Sequence, residues 1–237
     1  MSSDKRLVIV GAGGAGMAAA IAALQTRPNI EVTIIERNPS FGGITAISTG
    51  TLRACDTSLQ KEQGMPGVTL ADSLVQYLDA CPGRQDLAML QTYLEQSPRA
   101  IEWLQSLGCR IILLSDFRHQ IVPDDKGVPG GSGLTLALHK QAQSLGVRFI
   151  YETRVVNLIR EAGRIIGLEA LTRDGQKLSL HADAVILCDG GFWGAGKGAF
   201  TKNIPAHLKD VVISDEGYFY AGGAGDGARM AQAVGAS

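Results

Sequence analysis

Gly11, Gly13 and Gly16, with an acid at Glu36, are the residues whose types and spacing could do chemistry in this chain, and that chemistry is the holding of a dinucleotide. In a G-x-G-x-x-G turn the first glycine permits a tight bend, the second lets the backbone approach a pyrophosphate, and the third lets a helix pack against a strand. The phosphates would sit on the helix N-terminus, where N–H groups without intrahelical partners and the helix dipole favour an anion. Glu36 lies about 20 residues past the last glycine, where a carboxylate accepts hydrogen bonds from a ribose diol.

The elements that must position these residues are readable around them. Leu7–Leu24 is an apolar run long enough to be a candidate membrane helix. Four glycines in its first half (Gly11, Gly13, Gly14, Gly16) argue instead for two elements joined by a turn: a β-branched strand at 7–10 and an alanine-rich helix at 17–24. A second strand, EVTIIE, ends at Glu36. No other stretch is apolar enough to span a bilayer, and the residues ahead of the first strand are too few for a targeting region. With 237 residues, 45% hydrophobic content and a formal charge of −1, the composition suits a soluble α/β protein without bias toward nucleic acid or anionic membranes. The four cysteines (55, 81, 109, 188) have no C-x-x-C spacing, so no metal site or dithiol motif is expected, and reduced thiols point to a cytoplasmic protein.

The segment after the acid, 36–50, is rich in glycine and small hydroxyl residues, too irregular for a helix and too polar for a core strand. It suits a chain running along a ligand, with Gly42 and Gly43 allowing close approach and Thr45, Ser48 and Thr51 offering hydroxyls; an ordinary surface loop is the alternative. A nicotinamide-binding domain would continue into another helix and strand here, whereas a flavin domain lays down such an extended segment. Two distant stretches point the same way. HADAVILCDGG has an apolar strand ending in an acid and two glycines, Gly190 and Gly191, as where a buried parallel strand meets a cofactor. GGAGDGARMAQAVGA opens a helix behind a glycine loop at Asp226, a residue that could also be a plain N-cap.

These four blocks together resemble the flavin-contacting blocks of the fumarate reductase and succinate dehydrogenase flavoprotein family, which also contains 3-ketosteroid dehydrogenases. The resemblance implies an α/β, Rossmann-like FAD-binding domain with a central parallel sheet, a small β-meander and a helical insertion. By it, Gly11, Ala12, Gly13, Gly14, Ala15 and Gly16 cradle the pyrophosphate, Glu36 holds the adenosine ribose, and Arg37 lies beside it. Gly43, Ile44, Thr45, Ser48, Thr49, Gly50 and Thr51 follow the pyrophosphate toward the flavin ring, the backbone of Val155 meets the adenine, and Gly190 and Asp226 contact the cofactor. The segment after the paired glycines lacks the histidine of covalent members, so noncovalent FAD is expected. Cys188 and Asp189 replace the usual Ala-Thr pair. A carboxylate beside a diphosphate is repelled unless turned away or neutralised, so Asp189 is not expected to touch the phosphates, and Cys188 is read as a small core residue.

Between the blocks, apolar residues recur at helical spacing from Leu70 to Leu107, broken at Pro82-Gly83 and at Pro98; this is the helical insertion, about 70–108, of a single FAD-binding domain, 1–237. A long loop at 115–133 carries Arg118 and His119, either substrate-side or simply solvated, and leads into a helix at Leu134. Residues 149–159, 164–171 and 177–181 read as strands. The family moves a hydride between flavin and a C–C bond beside a carbonyl or carboxylate, using an Arg, Tyr or His from a capping domain and a C-terminal segment. Both would begin beyond residue 237, so catalytic residues are not assigned within the chain; a second polypeptide supplying cap and C-terminal flavin site is the expected partner beside a small-molecule substrate, with a truncated chain as the alternative. A noncatalytic FAD-binding partner subunit and an NAD(P)-linked reductase are the other readings.

Overall fold

The structure, a computed structural model, describes residues 5–65, 68–80, 82–83, 85–116, 118–123, 127–191, 223 and 225–236. The chain divides into two compact units, one of residues 1–45 and 138–237, the other of residues 46–137.

In the first unit, β1 (Arg6–Val10), α1 (Gly14–Thr26) and β2 (Glu31–Ile35) follow the sequence expectation closely. β1 is β-branched and nearly fully buried, as a strand covered on both faces requires. Along α1, Met17, Ala20, Ile21 and Leu24 form one buried stripe at helical spacing, and the small alanines let the helix lie close to its neighbours. β6 (Arg148–Ile150) and β10 (Ala184–Leu187) complete a parallel sheet of order β10-β1-β2-β6. The chain leaves β1 toward β2 and β6, then returns to the other side of β1 as β10, so the order reverses at the carboxyl end of β1. Such a switch point opens a crevice between diverging connections. A meander of β7 (Thr153–Glu161), β8 (Arg164–Thr172) and β9 (Lys177–His181) pairs antiparallel. A core of Val8, Val10, Ile35, Val155, Leu168, Ala170, Ala182 and Met230 joins these strands to the final helix.

The second unit holds a short antiparallel sheet of order β3-β5-β4, from β3 (Thr51–Leu52), β4 (Ile111–Leu113) and β5 (His119–Ile121). Its helices are α3 (Ser58–Glu62), α4 (Leu70–Ala80) and α5 (Leu87–Ser106). Leu90 and Leu94 of α5 pack with Cys55, and Leu70, Leu74, Tyr77 and Leu78 cover them, as the leucine spacing predicts. Two further helices, α2 (Gly43–Ile47) and α6 (Gly130–Ser144), span the sequence boundaries at 45/46 and 137/138, and α7 (Asp226–Ala233) is the last described helix.

Several expectations are corrected. The segment at 36–50 does contain a short helix, α2. The break expected at Pro98 does not occur: α5 runs through it. Proline removes the N–H that would bond the carbonyl four residues back, which is Leu94 O, and Ser97 Oγ donates to that oxygen at 2.9 Å instead. The strand expected at 149–159 is two strands, split where Glu152 adopts φ 51°. The helix expected from Leu134 starts at Gly130, and the expected 115–133 loop contains β5. Among the described residues no helix is long and apolar enough to cross a membrane.

Candidate functional site

The glycine turn sits at the carboxyl end of β1, at the switch point. Gly11 N–H donates to Ile35 O at 2.8 Å and Cys188 N–H to Val10 O at 2.8 Å, so the turn is wedged between the ends of β2 and β10. Gly11 has φ +102°, and a Cβ there would lie 2.4 Å from Cys188 O. At Gly16 a Cβ would lie 1.9 Å from Gly11 O, which is why the helix can start so close to the strand. At Gly13, by contrast, the nearest atom a Cβ would meet is Gly42 O at 3.9 Å. The first and third glycines therefore answer to packing against protein, while the second faces open space, as an approaching pyrophosphate requires.

α1 begins at Gly14 with Gly13 as N-cap, no side-chain cap and no acid in its first turn. Its first amides thus depend on groups outside the helix. Gly14 N–H reaches Thr45 Oγ1 at 3.3 Å, and Gly42 N–H donates to Ala12 O at 2.9 Å, so the 42–45 segment lies against the turn. Ala12 is fully buried, Gly43 and Thr45 are half-buried, and Ile44 is exposed.

Glu36 is 7% exposed, and both its oxygens are anchored: Oε2 accepts from Ala12 N–H at 2.8 Å and Oε1 from Asn38 N–H at 2.8 Å. The acid at the end of β2 thus reaches the glycine turn directly. Each carboxylate oxygen keeps a second lone pair, so acceptance from a ribose diol remains open to it. Arg37, Asn38, Pro39, Glu152, Arg154 and Arg173 line an open cleft of about 550 Å³ beside it, with Leu171 and Thr172. Val155 is buried against Ala170, and the ladder breaks register just after it, between Val155 and Asn157. Such bulges re-aim backbone groups beside ligand sites.

Asp226 is not the N-cap of α7; Gly225 is, in the left-handed region. The Asp226 carboxylate accepts from Arg154 Nε and Nη2, both at 2.8 Å, and also from Arg229. The amide at the head of α7 is served by Asp189 instead, whose Oδ2 accepts from Gly227 N–H at 2.7 Å. This carboxylate is turned toward a helix N-terminus. Burial, with the Asp189 charge adding to it, pushes the Cys188 thiol up, consistent with a structural cysteine. Gly190 adopts φ +80° beside Gly223.

Within the 46–137 unit, Ser48 and Thr49 are exposed and Gly50 is buried. Thr51 Oγ1 donates to Gln120 Oε1 at 2.8 Å. Gln120 carried no signal in the sequence, since a lone glutamine in a three-residue strand has no pattern to mark it. His119, expected in a loop, is a fully buried strand residue, 2.9 Å from Thr57 Oγ1 through Nε2. Tyr218, Phe219 and Tyr220 lie outside the described residues. Among the described residues no group of three or more His, Cys, Asp or Glu side chains could hold a metal.

Comparison with known proteins places these features in context. A family model described as FAD binding domain matches residues 6–237. The chain is 29% identical to urocanate reductase of Eggerthella lenta over 249 residues, covering 100% of this chain and 39% of that protein. An open flavocytochrome c3 fumarate reductase superposes with TM-score 0.81 at 26% identity, over 100% of this chain and 41% of the other. The 3-ketosteroid-Δ4-(5α)-dehydrogenase of Rhodococcus jostii RHA1 has the same fold, with TM-score 0.81 at 24% identity, over 99% of this chain and 55% of that one. The chain therefore spans well under two thirds of the length of each.

Proposed function

The chain belongs to the FAD binding domain family, and from that premise we propose that it builds the nucleotide end of the flavin site of an oxidoreductase moving a hydride between flavin and a C–C bond next to a carbonyl or carboxylate. FAD is the cofactor, and it supplies the hydride chemistry when bound. The observation that carries the reading is the Glu36 carboxylate joined to Ala12 N–H at the switch point, beside a second glycine whose Cβ position is open.

In this reading the residues of the chain bind and orient. Gly11–Gly16 present backbone donors and the head of α1 to the diphosphate. Glu36 holds the adenosine ribose with Arg37 alongside, and the backbone at Val155 meets the adenine. Gly43, Ile44, Thr45 and Ser48–Thr51 carry the cofactor on toward its ring, with Gly190 and Asp226 near it. Asp226 reaches the cofactor with Arg154 already holding both its oxygens, so its role there is a shared one. None of these groups moves a proton. The substrate is a small unsaturated carbonyl or carboxylate compound, in keeping with the reductases it resembles, and the residues that hold it belong to portions of the relatives that this chain does not match. A cap and the remaining flavin contacts are supplied by portions of the relatives that lie outside these 237 residues. Cys55, Cys109 and Cys188 are free thiols, in keeping with a cytoplasmic location.

The test is to purify the chain, add FAD, remove the excess and record the visible spectrum. A retained yellow flavin, lost on Glu36→Ala, is the expected result. A colourless protein whose melting temperature rises with a nicotinamide dinucleotide and not with FAD would overturn the reading. Adding the missing portions of the enzyme and an unsaturated acid, then following flavin bleaching, tests the oxidoreductase half separately.

A further inference from the structure

Two adjacent glycines in the left-handed region, Gly42 at φ +117° and Gly43 at φ +54°, follow Phe41. Backbone of that freedom does not hold one course by itself. Here it is held beside the glycine turn: Gly42 pairs with Gly13 in a parallel bridge, and its N–H donates to Ala12 O at 2.9 Å. A Cβ built on Gly43 would meet Gly13 Cα at 3.6 Å, and one built on Gly13 would meet Gly42 O at 3.9 Å, so the two stretches lie side by side without crowding. Gly13 is the glycine whose open face suits an approaching pyrophosphate.

The order these glycines lack comes from the ring ahead of them. Phe41 stacks on His139 of α6, with centroids 3.8 Å apart and planes 8° from parallel. His139 in turn tilts against Phe149 of β6 at 4.8 Å, and Phe149 stacks on Tyr151 at 5.8 Å. The Tyr151 hydroxyl closes the row, 3.1 Å from His139 Nε2. That contact sets which edge of the imidazole faces Tyr151, so the ring presents a fixed plane to Phe41. All four rings are half-buried, and all belong to the unit of residues 1–45 and 138–237, as does the glycine turn.

We propose that His139 is a positioning residue for the FAD site: held by the Tyr151 hydroxyl, it stacks on Phe41 and so keeps Gly42 and Gly43 in register with Gly13. The proposal rests on the FAD reading above and assigns to it a residue that acts through Phe41 rather than on the cofactor.

The experiment uses the full chain as wild type, His139→Ala, His139→Phe, Phe41→Leu and the double variant Phe41→Leu/His139→Ala. Three quantities are measured: the FAD dissociation constant from flavin fluorescence, the exchange rate of the Gly42 amide hydrogen without FAD, and the urea midpoint without FAD. His139→Ala is expected to bind FAD about two- to tenfold more weakly, the range of one aromatic pair, and to exchange Gly42 faster. His139→Phe keeps a ring to stack and should recover most of both. The double variant should bind about as weakly as Phe41→Leu alone, since the two rings act as one device. A merely structural role would lower the urea midpoint of His139→Ala and leave its FAD affinity and Gly42 exchange as in the wild type; that outcome overturns the proposal, as does a double variant in which the two losses add in full. A wild-type chain that binds no FAD overturns the underlying reading and this proposal together. If His139→Ala does not fold, Tyr151→Phe decides, since it removes only the hydroxyl that orients the imidazole. Weaker FAD binding with faster Gly42 exchange supports the proposal, and wild-type values of both overturn it.

Discussion

Asp189, at the end of β10, accepts a hydrogen bond from Gly227 N–H at the start of α7, 2.7 Å away and 38 residues along the chain. The carboxylate offers the head of that helix the negative charge its dipole favours, and the helix in return gives the carboxylate a hydrogen-bond donor. Asp189→Ala is expected to destabilise the protein by about 1–2 kcal/mol, in the range of losing a helix cap. Asp189→Asn, which retains an acceptor oxygen, is expected to cost less. Urea unfolding of the two variants checks the order.

Gly11→Ala sets a side chain against Cys188 O in a backbone conformation that L-residues rarely adopt. Either β10 must move away from β1 or the turn must reshape. A loss of about 2–3 kcal/mol of stability is expected from overpacking combined with left-handed strain, with FAD affinity lost alongside. Thermal melting with and without FAD separates the two effects: in the wild type FAD raises the midpoint, and in the variant it does not.

Glu36→Ala leaves two N–H groups, the buried one of Ala12 and the half-buried one of Asn38, without their acceptor. Each unsatisfied group costs about 1–3 kcal/mol, so the apo-protein itself is expected to be less stable, not only weaker in cofactor binding. An unchanged urea midpoint of apo Glu36→Ala would show that the carboxylate is not the tie between β2 and the glycine turn.

Burial holds the His119 imidazole below its ordinary pKa of 6.5, and its Nδ1 has no partner among the described residues. A base whose folded-state pKa is lowered takes up its proton first in the unfolded chain. Its contribution is therefore constant above about pH 6.5 and is lost as pH falls, by up to about 1.4 kcal/mol per pH unit, until the folded value is reached. Urea midpoints measured from pH 8 to pH 5 should decline more steeply for wild type than for His119→Phe. His139 is shifted in the same direction by burial, so a residual decline in the variant is expected.

Ser97→Ala removes the hydroxyl that replaces the hydrogen bond Pro98 cannot make, leaving Leu94 O to the weak donor Cys55 Sγ at 3.5 Å. A destabilisation of about 1 kcal/mol is expected. Restoring the amide with Pro98→Ala in the Ser97→Ala background should recover part of it, which a pair of unfolding curves would reveal.

The parallel framework was legible because its signals are local. Strand, glycine turn, helix, strand and acid occupy Arg6–Glu36, and each is marked by a period or a residue with a distinct backbone requirement. The meander was legible for the same reason, except at Tyr151 and Glu152, where strand-favouring residues on both sides hide a backbone turn with φ 51°. Pro98 was read as a helix end because the residue that compensates it, Ser97, can only be credited once Leu94 O is known to need a donor. The sheet β3-β5-β4 left no trace, since strands of two or three residues have no period to detect.

The amino-acid sequence by itself determined the kind of ligand this protein is built around: the spacing of Gly11, Gly13, Gly16 and Glu36 follows from backbone sterics and charge that act within one strand–turn–helix–strand unit. Only the tertiary structure decided which partners the polar groups beyond that unit take. Asp189 bonds the head of α7, Arg154 takes both oxygens of Asp226, and Gln120 ties down a segment 69 residues before it. Those choices depend on which distant polar groups folding brings within 3 Å of each other, and a buried donor or acceptor takes whichever partner the packed backbone delivers.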